Sequence, residues 1–263
     1  VNVDKPADIN SIFDPAIVYA KGARMLVMVR ALIGDDNLRA GLKNYLSAHK
    51  YGNAQGDDLW DALSQASGMP VGKIMKPWLT QPGYPVVSAK IVNGQLTLKQ
   101  QQFFIGKGND VGRKWQIPLR SNYSQAPKIM ANRQLNLGDY SKLRKANGKP
   151  FQLNCDNRSH FIVKYDSTLL NDLLNHLDAL DSVTQMQILQ DFSLLAEGRQ
   201  ISFAKIIPEL TKFKDNRSAI VNLALNHLIN QIKRFVKPQS HFEDQFKHFL
   251  NSLIANQANQ LGW

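Results

Sequence analysis

The spacing of the apolar residues changes twice along the chain, and this change restricts the folds that the sequence can adopt. Up to residue 83 the apolar residues recur every three or four positions, as on one face of a helix. Between residues 84 and 165 short runs alternate apolar and polar residues, and from residue 166 the helical spacing returns. We therefore predict a multidomain α+β chain with a helical part at 1–83, a β part at 84–165 and a second helical part at 166–263.

The first part has residues that favour particular helix ends. Asp14 can cap a helix that has Pro15 at its first position, because the amide that proline lacks would be unpaired there. Gly34 is placed to end this helix. Pro77 is expected to make the last helix irregular, because it removes an amide donor. The later helices are predicted to begin at Asp35 or Asp36, near Asp57 and before Ile74.

The middle part predicts a small antiparallel β-sandwich. Asn93-Gly94 lies between two strand-like runs, and both residues tolerate the positive φ that a two-residue hairpin turn needs. Several short strands separated by turns are typical of a two-layer β module. Further strands are predicted at 115–121, 128–130, 134–137, 151–153 and 161–165.

The last part predicts stacked helix pairs. Asp181 is a cap candidate, and the other helices are predicted at 202–213, 215–235 and from 240 to the end. Helix pairs joined by short loops are typical of the start of an α-solenoid of the HEAT/ARM type. Such arrays end in a polar repeat, and this chain stops at 261–263 without one. We therefore expect a chain that is truncated within this domain.

The net charge of +11 lies entirely in the middle part, which has fourteen Lys and Arg against three Asp and Glu. That part has no recognition helix, no stacking-aromatic signature and no zinc finger, so we expect a solvated basic face and no nucleic-acid partner. No apolar run approaches the roughly 20 residues that cross a bilayer, so no membrane partner is expected. Cys155 is the single cysteine, which excludes an internal disulfide and favours a cytoplasmic location.

Three stretches, in this order, resemble the aminopeptidase N family of zinc metallopeptidases. The first is FDPAIVYAKGARML at 13–26, which is similar to the Tyr-x-Lys-Gly segment of the family and the helix after it. The second runs from Tyr51-Gly52-Asn53-Ala54 to Pro85 and resembles the end of the catalytic domain. The third, at 181–198, resembles the first full helix of the C-terminal domain.

The resemblance implies the tail of a thermolysin-like catalytic domain, a β-sandwich domain and the first helices of a C-terminal superhelix. In this family zinc is held by the histidines of H-E-x-x-H and a later glutamate. None of the six histidines here is followed by glutamate, so zinc is expected in the full-length enzyme and not in this fragment. The chain begins with Val1, and the missing motif is expected upstream, in a catalytic portion against which this fragment packs.

The resemblance also implies that Tyr19 is the catalytic tyrosine. Attack of water on a peptide carbonyl places negative charge on oxygen, and a phenol hydroxyl directed at that oxygen stabilises the charge as it develops. The alternative is a core aromatic residue near a helix start. Lys21 and Gly22 match the same motif but are not expected to be catalytic: Lys21 is interpreted as a solvated or locally paired charge, and Gly22 as a close packing contact.

We therefore predict part of a zinc-dependent metallo-aminopeptidase that removes N-terminal residues from peptides, and a fragment that is inactive alone. One alternative is a non-catalytic interaction module that binds acidic partners through the basic β part. Another is a sister hydrolase of the same fold, such as an epoxide hydrolase.

Overall fold

The computed structural model describes residues 5–6 and 14–260, with side chains up to residue 255. Phe13 and residues 261–263, which contribute to the expectations above, lie outside this part. The described residues form a mixed α/β structure in which helices predominate.

The N-terminal part is helical and is followed by a turn into the first strand. Gly34 ends the first α-helix, as predicted, with φ of 86°. It also precedes the next helix, so the prediction of a cap by Asp35 or Asp36 is wrong, and Asp35 instead pairs with Arg30 at 2.7 Å. The elements are a π-helical segment Ala16–Lys21, α1 Gly22–Ile33, α2 Asp35–Ala48, α3 Gly56–Ser67 and α4 Val71–Thr80.

Helix α4 continues through Pro77. A proline at this position leaves the carbonyl of Lys73, four residues earlier, without its helical donor. The side-chain amide of Gln116 lies 3.4 Å from that oxygen and donates to it. A side chain from the β part thus replaces the missing helical bond, and the helix is not interrupted.

Two sheets follow α4. β1 and β2 form a hairpin whose turn residues Asn93 and Gly94 have φ of 50° and 76°, so the predicted Asn-Gly turn is confirmed. The larger sheet has the order β5-β2-β1-β6, and β6 runs parallel to β1. The expectation of a purely antiparallel sheet is therefore wrong, because a long connection returns the chain to β1 in the same direction. The strands are β1 Pro85–Val92, β2 Gln95–Gln102, β3 Ile117–Pro118, β4 Ile129–Met130, β5 Gln134–Asp139 and β6 Ile162–Tyr165.

Helix α5 (Tyr140–Asn147) lies within the β part and was not predicted. Asp139 caps it by accepting the amide of Lys142 at 2.9 Å, and Gly148 ends it with φ of 66°. The strand predicted at 151–153 does not form, although Phe151 is buried.

The C-terminal part is a series of helices. Asp181 caps α7 by accepting the amides of Val183 and Thr184 at 2.9 and 3.0 Å, as predicted. Among the described residues, each helix is too short or too polar to span a bilayer. The helices are α6 Ser167–Asn175, α7 Ser182–Glu197, α8 Phe203–Leu210, α9 Ala219–Lys233 and α10 His241–Gln260.

Two hydrophobic cores organise these elements. The first extends from α1, α3 and α4 into the larger sheet, and Trp78 of α4 lies 6.3 Å from Trp115 between ring centroids. The second joins helices α6 to α10. A small cluster of Val86, Phe103, Ile162 and Leu195 connects β1, β2 and β6 with α7. The β part therefore packs against helices that precede it in the sequence and against helix α7, which follows it.

Candidate functional site

Tyr19 lies in the π-helical segment just before α1. Asp14 begins this segment: its carboxylate accepts the amide of Ala16 at 2.8 Å, and its carbonyl accepts the amides of Ile17 and Val18. At the other end, the amide of Gly22 donates to the carbonyl of Ile17, five residues earlier. Short π-helical insertions in α-helices occur frequently at functional sites, because the extra residue changes the direction of the side chains around it.

The side chain of Tyr19 is 68% exposed. Its hydroxyl has no hydrogen-bond partner among the described residues, so it is free to donate to an oxygen that approaches from outside. The alternative of a core aromatic residue does not fit this exposure. The neighbouring side chains of Ile17, Val18, Leu26 and Val27 are also exposed, and together with Tyr19 we call them the Tyr19 surface.

Lys21 and Gly22 have different surroundings from those expected. A Cβ atom on Gly22 would meet only the carbonyl oxygen of Ile17, at 4.0 Å, so the expectation of a close packing contact is wrong within the described part. Lys21 is half-buried, and no ion pair to it occurs in that part. Its positive charge contributes to the low pKa of His160.

Arg24, in the first turn of α1, connects this region to the β part through hydrogen bonds. Its guanidinium donates to the carbonyl of Asn157, to the side-chain oxygen of Asn157 at 2.7 Å and to the carbonyl of Ser159 at 2.7 Å. Burial lowers the pKa of Arg24 below its usual value, and the charge of Asp191 opposes this effect. Sequence reasoning missed this residue. The available signal was its position four residues before the buried Met28, beside the apolar stripe of α1.

The ring of His160 lies against those of Trp78 and Tyr84, at centroid distances of 6.1 and 4.8 Å. Burial, followed by the charges of Arg24 and Lys21, lowers the pKa of its imidazole to about 4. The imidazole is therefore neutral at pH 7 and acts as part of an aromatic cluster.

The described residues contain no group of three or more His, Cys, Asp or Glu side chains that could hold a metal ion. The acidic residues near the start of α3 do not form a site, since Asp58 accepts the amide of Gln55 at 2.7 Å in a capping box. His49 bonds to the carbonyl of Asn53 at 3.2 Å. These side chains have local structural roles.

A cavity of about 1100 Å³ lies in the C-terminal half, between β6 and helices α6 to α9, and Tyr19 is not among its lining residues. Asp191 lies in its wall and accepts the amide of Val163 at 3.1 Å. Burial raises the pKa of this carboxyl to about 8. The cavity and the Tyr19 surface are separate features of the molecule.

Comparison with known proteins assigns two regions of the chain to families. The peptidase family M1 domain matches residues 1–78, and the ERAP1-like C-terminal domain matches residues 151–263. The chain is 53% identical to aminopeptidase N of Lactobacillus helveticus and 52% identical to aminopeptidase N of Lactobacillus delbrueckii subsp. lactis, over its whole length and 31% of each relative. It is 32% identical to aminopeptidase M1 of Arabidopsis thaliana, over its whole length and 32% of that protein.

The chain thus spans about a third of the length of the curated relatives that it matches. Tyr19 and Arg24 lie within the part that matches the peptidase domain, and the cavity lies within the part that matches the C-terminal domain. These matches support the assignment of the chain as a fragment of the aminopeptidase N type, with a peptidase family M1 region and an ERAP1-like C-terminal region.

Proposed function

We propose that this chain is part of a zinc-dependent aminopeptidase that removes N-terminal residues from peptides, and that Tyr19 is its oxyanion-stabilising residue. The observation that supports this most directly is the exposure of Tyr19 within the segment that matches the peptidase family M1 domain, together with a hydroxyl that has no hydrogen-bond partner in the described ranges. The relatives from Lactobacillus helveticus and Arabidopsis thaliana, which match the whole length of the chain, are named aminopeptidases.

In this mechanism Tyr19 acts by hydrogen bonding and not by proton transfer. As the scissile carbonyl becomes tetrahedral, its oxygen gains negative charge and becomes a stronger acceptor. A phenol at hydrogen-bond distance from that oxygen then binds the transition state more tightly than the substrate. The π-helical segment presents the side chain at the surface. A donor that is in place before the substrate arrives needs little reorganisation during the reaction.

The residues that the structure describes do not fit a zinc site, because they contain no suitable group of ligands. The chain also lacks the H-E-x-x-H pattern. In our proposal, zinc and its ligands belong to parts of the enzyme outside this sequence, and the contribution of this chain to the reaction is the hydroxyl of Tyr19.

We test the role of Tyr19 by the substitution Tyr19→Phe in the full-length enzyme. The variant keeps the ring and removes the donor, so we expect kcat to fall by about 10²–10³ while KM and zinc content stay near normal. Steady-state kinetics on an aminoacyl chromogenic substrate and metal analysis measure these quantities. A kcat within about threefold of the parent enzyme contradicts the role of Tyr19.

We further propose that the 263-residue chain is inactive alone. It has the proposed oxyanion donor but neither the metal ligands nor a general base of the motif type. The chain, incubated with zinc and aminoacyl chromogenic substrates, should give no turnover above the buffer blank. Turnover that co-purifies with the chain and is abolished by a chelator would show that the proposal is wrong.

For the architecture we propose the tail of a thermolysin-like catalytic domain at 1–83, a β-sandwich at 84–165 and the start of an α-solenoid at 166–263. The matches at 1–78 and 151–263 support the two ends of this division. The exposed Tyr19 surface supports packing against an upstream catalytic portion, because apolar side chains of this kind are usually covered by a partner. The cytoplasmic location remains a prediction.

A further inference from the structure

The π-helical segment that carries Tyr19 has no buried side chain. Within the described part, its position is therefore set by the helix that follows it, and the first buried residue of that helix is Met25. Met25 and the later buried residues of α1, Met28, Val29 and Ile33, hold the helix through apolar contacts, which are not directional. A directional contact near the start of α1 would further restrict the angle at which Tyr19 leaves the surface.

Arg24 makes this contact, five residues after Tyr19. Its guanidinium reaches three acceptors on the loop before β6, which lie 133 and 135 positions further along the chain. A planar guanidinium that donates to several oxygens fixes both the distance and the orientation between two elements. The contacts of Arg24 are partly buried, and this burial lowers the pKa of its guanidinium. Loss of the side chain would leave the half-buried carbonyl of Asn157 without this donor.

The loop that receives Arg24 is held in shape independently of it. Asn154 is fully buried, and its side chain accepts the amide of Ser159 at 2.7 Å and donates to the carbonyl of Ser159 at 3.0 Å. Asn154, Asp156 and Asn157 have φ of 55°, 62° and 48°, a left-handed conformation that asparagine and aspartate tolerate better than most residues. In this conformation Asn157 presents both its carbonyl and its side-chain oxygen to Arg24.

We propose that Arg24 is the positioning residue of Tyr19: it fixes the first turn of α1 to the 154–159 loop and thereby sets the direction of the phenol. This inference rests on the proposed function of Tyr19. Arg24 does not touch the reacting atoms, so its loss should act on the geometry of the transition state and not on substrate binding. A displacement of about 1 Å at a reacting centre is sufficient to cost roughly 10²-fold in rate.

The first test is physical and does not depend on peptidase activity. Amide hydrogen exchange is measured on the 263-residue chain and on the variants Arg24→Met and Asn157→Gly. Asn157→Gly keeps a backbone that tolerates positive φ and removes only the side-chain acceptor. We expect the amides at residues 19–23 to exchange at least about tenfold faster in Arg24→Met, and less so in Asn157→Gly.

The matched control is Arg30→Met, which removes an exposed arginine of the same helix that pairs with Asp35. We expect exchange at residues 19–23 to be unchanged in this variant. If the amides at residues 19–23 exchange at the same rate in Arg24→Met as in Arg30→Met, Arg24 does not fix the segment and the inference is wrong.

The second test uses the full-length, zinc-loaded enzyme. Arg24→Met should lower kcat by about 10–100-fold, with KM within about threefold and zinc content unchanged, and Arg24→Lys should recover part of the loss. In the double variant Tyr19→Phe/Arg24→Met, kcat should be no lower than in Tyr19→Phe alone, because both changes remove the same interaction. Fully additive losses would show that Arg24 does not act through Tyr19.

The outcomes separate the two proposals. A near-normal kcat in Tyr19→Phe overturns the proposed function, and the exchange data then decide whether Arg24 fixes the segment at all. A defective Tyr19→Phe together with a normal Arg24→Met overturns the positioning role alone.

Discussion

At the scale of single residues, the charged and polar side chains near Tyr19 differ in how far they can be predicted. Tyr19 itself was identified by its resemblance to a family motif, and its exposure is consistent with an outward-facing role. Arg24 was not identified, because a lone arginine on a helix is usually solvated and its partners lie far away in the sequence. A residue whose role depends on a distant loop has no local signature of that role.

His160 gives a pH-dependent prediction at this scale. Its pKa is about 4 in the folded chain and near the ordinary value of 6.5 in the unfolded chain, where the imidazole is exposed. Above pH 6.5 both states are neutral and the full stability is present. Between pH 6.5 and 4 only the unfolded state takes up a proton, so stability falls as the pH decreases.

We therefore expect His160→Phe to lose less stability than the parent chain when the pH is lowered from 7 to 5. The difference in this loss should be about 1–2 kcal/mol, measured by urea denaturation at both pH values. The contribution of Asp191 to the pH dependence of stability has the opposite sign, because its raised pKa makes stability fall as the pH rises towards 8. Its contribution is common to both chains and cancels in the comparison. Equal pH dependence of the two chains would contradict the low pKa of His160.

At the scale of elements, local signals predicted the ends of helices and hairpins better than the pairing of strands. The Asn93-Gly94 turn and the Asp181 cap follow from the chemistry of adjacent residues. The parallel pairing of β6 with β1 joins segments about 75 residues apart, and alternation of apolar residues does not encode the direction of such a pair. Helix α5 was missed although Asp139 and Gly148 provide a cap and a stop, because the surrounding strand pattern dominated the interpretation.

The packing of α2 on α3 gives a prediction at this scale. A Cβ atom on Gly41 would lie 2.7 Å from Cδ2 and 3.1 Å from Cα of Leu63. The first distance requires the buried Leu63 side chain to move, and the second requires a small shift of the backbone of α3. Gly41→Ala should therefore destabilise the chain by about 1–3 kcal/mol, although alanine favours a helix by about 1 kcal/mol. Gly56→Ala is the control, since nothing lies within 4 Å of its Cβ position, and it should be neutral or slightly stabilising. Thermal or urea unfolding measures both, and equal effects would contradict the close contact.

At the scale of the whole molecule, the sequence predicted three segments of different periodicity but not the continuity of their cores. The first core extends from the N-terminal helices into the sheet. The Nε1 atom of Trp78, in the helical part, donates to the carbonyl of Gln116, in the β part, at 3.0 Å. The helices before residue 83 and the strands after it therefore share one core. Composition and periodicity describe each segment separately, whereas packing between segments depends on shape.

The long separation between Arg24 and its partners also has a consequence for biosynthesis. The acceptors at residues 157 and 159 are translated well over a hundred codons after Arg24, and β6 immediately after them. The helix behind Tyr19 can form early, but its orientation is fixed only when that loop has left the ribosome. A nascent chain stalled before residue 157 should thus hold a formed helix whose tyrosine has no defined direction, and the geometry we assign to catalysis is established late in translation.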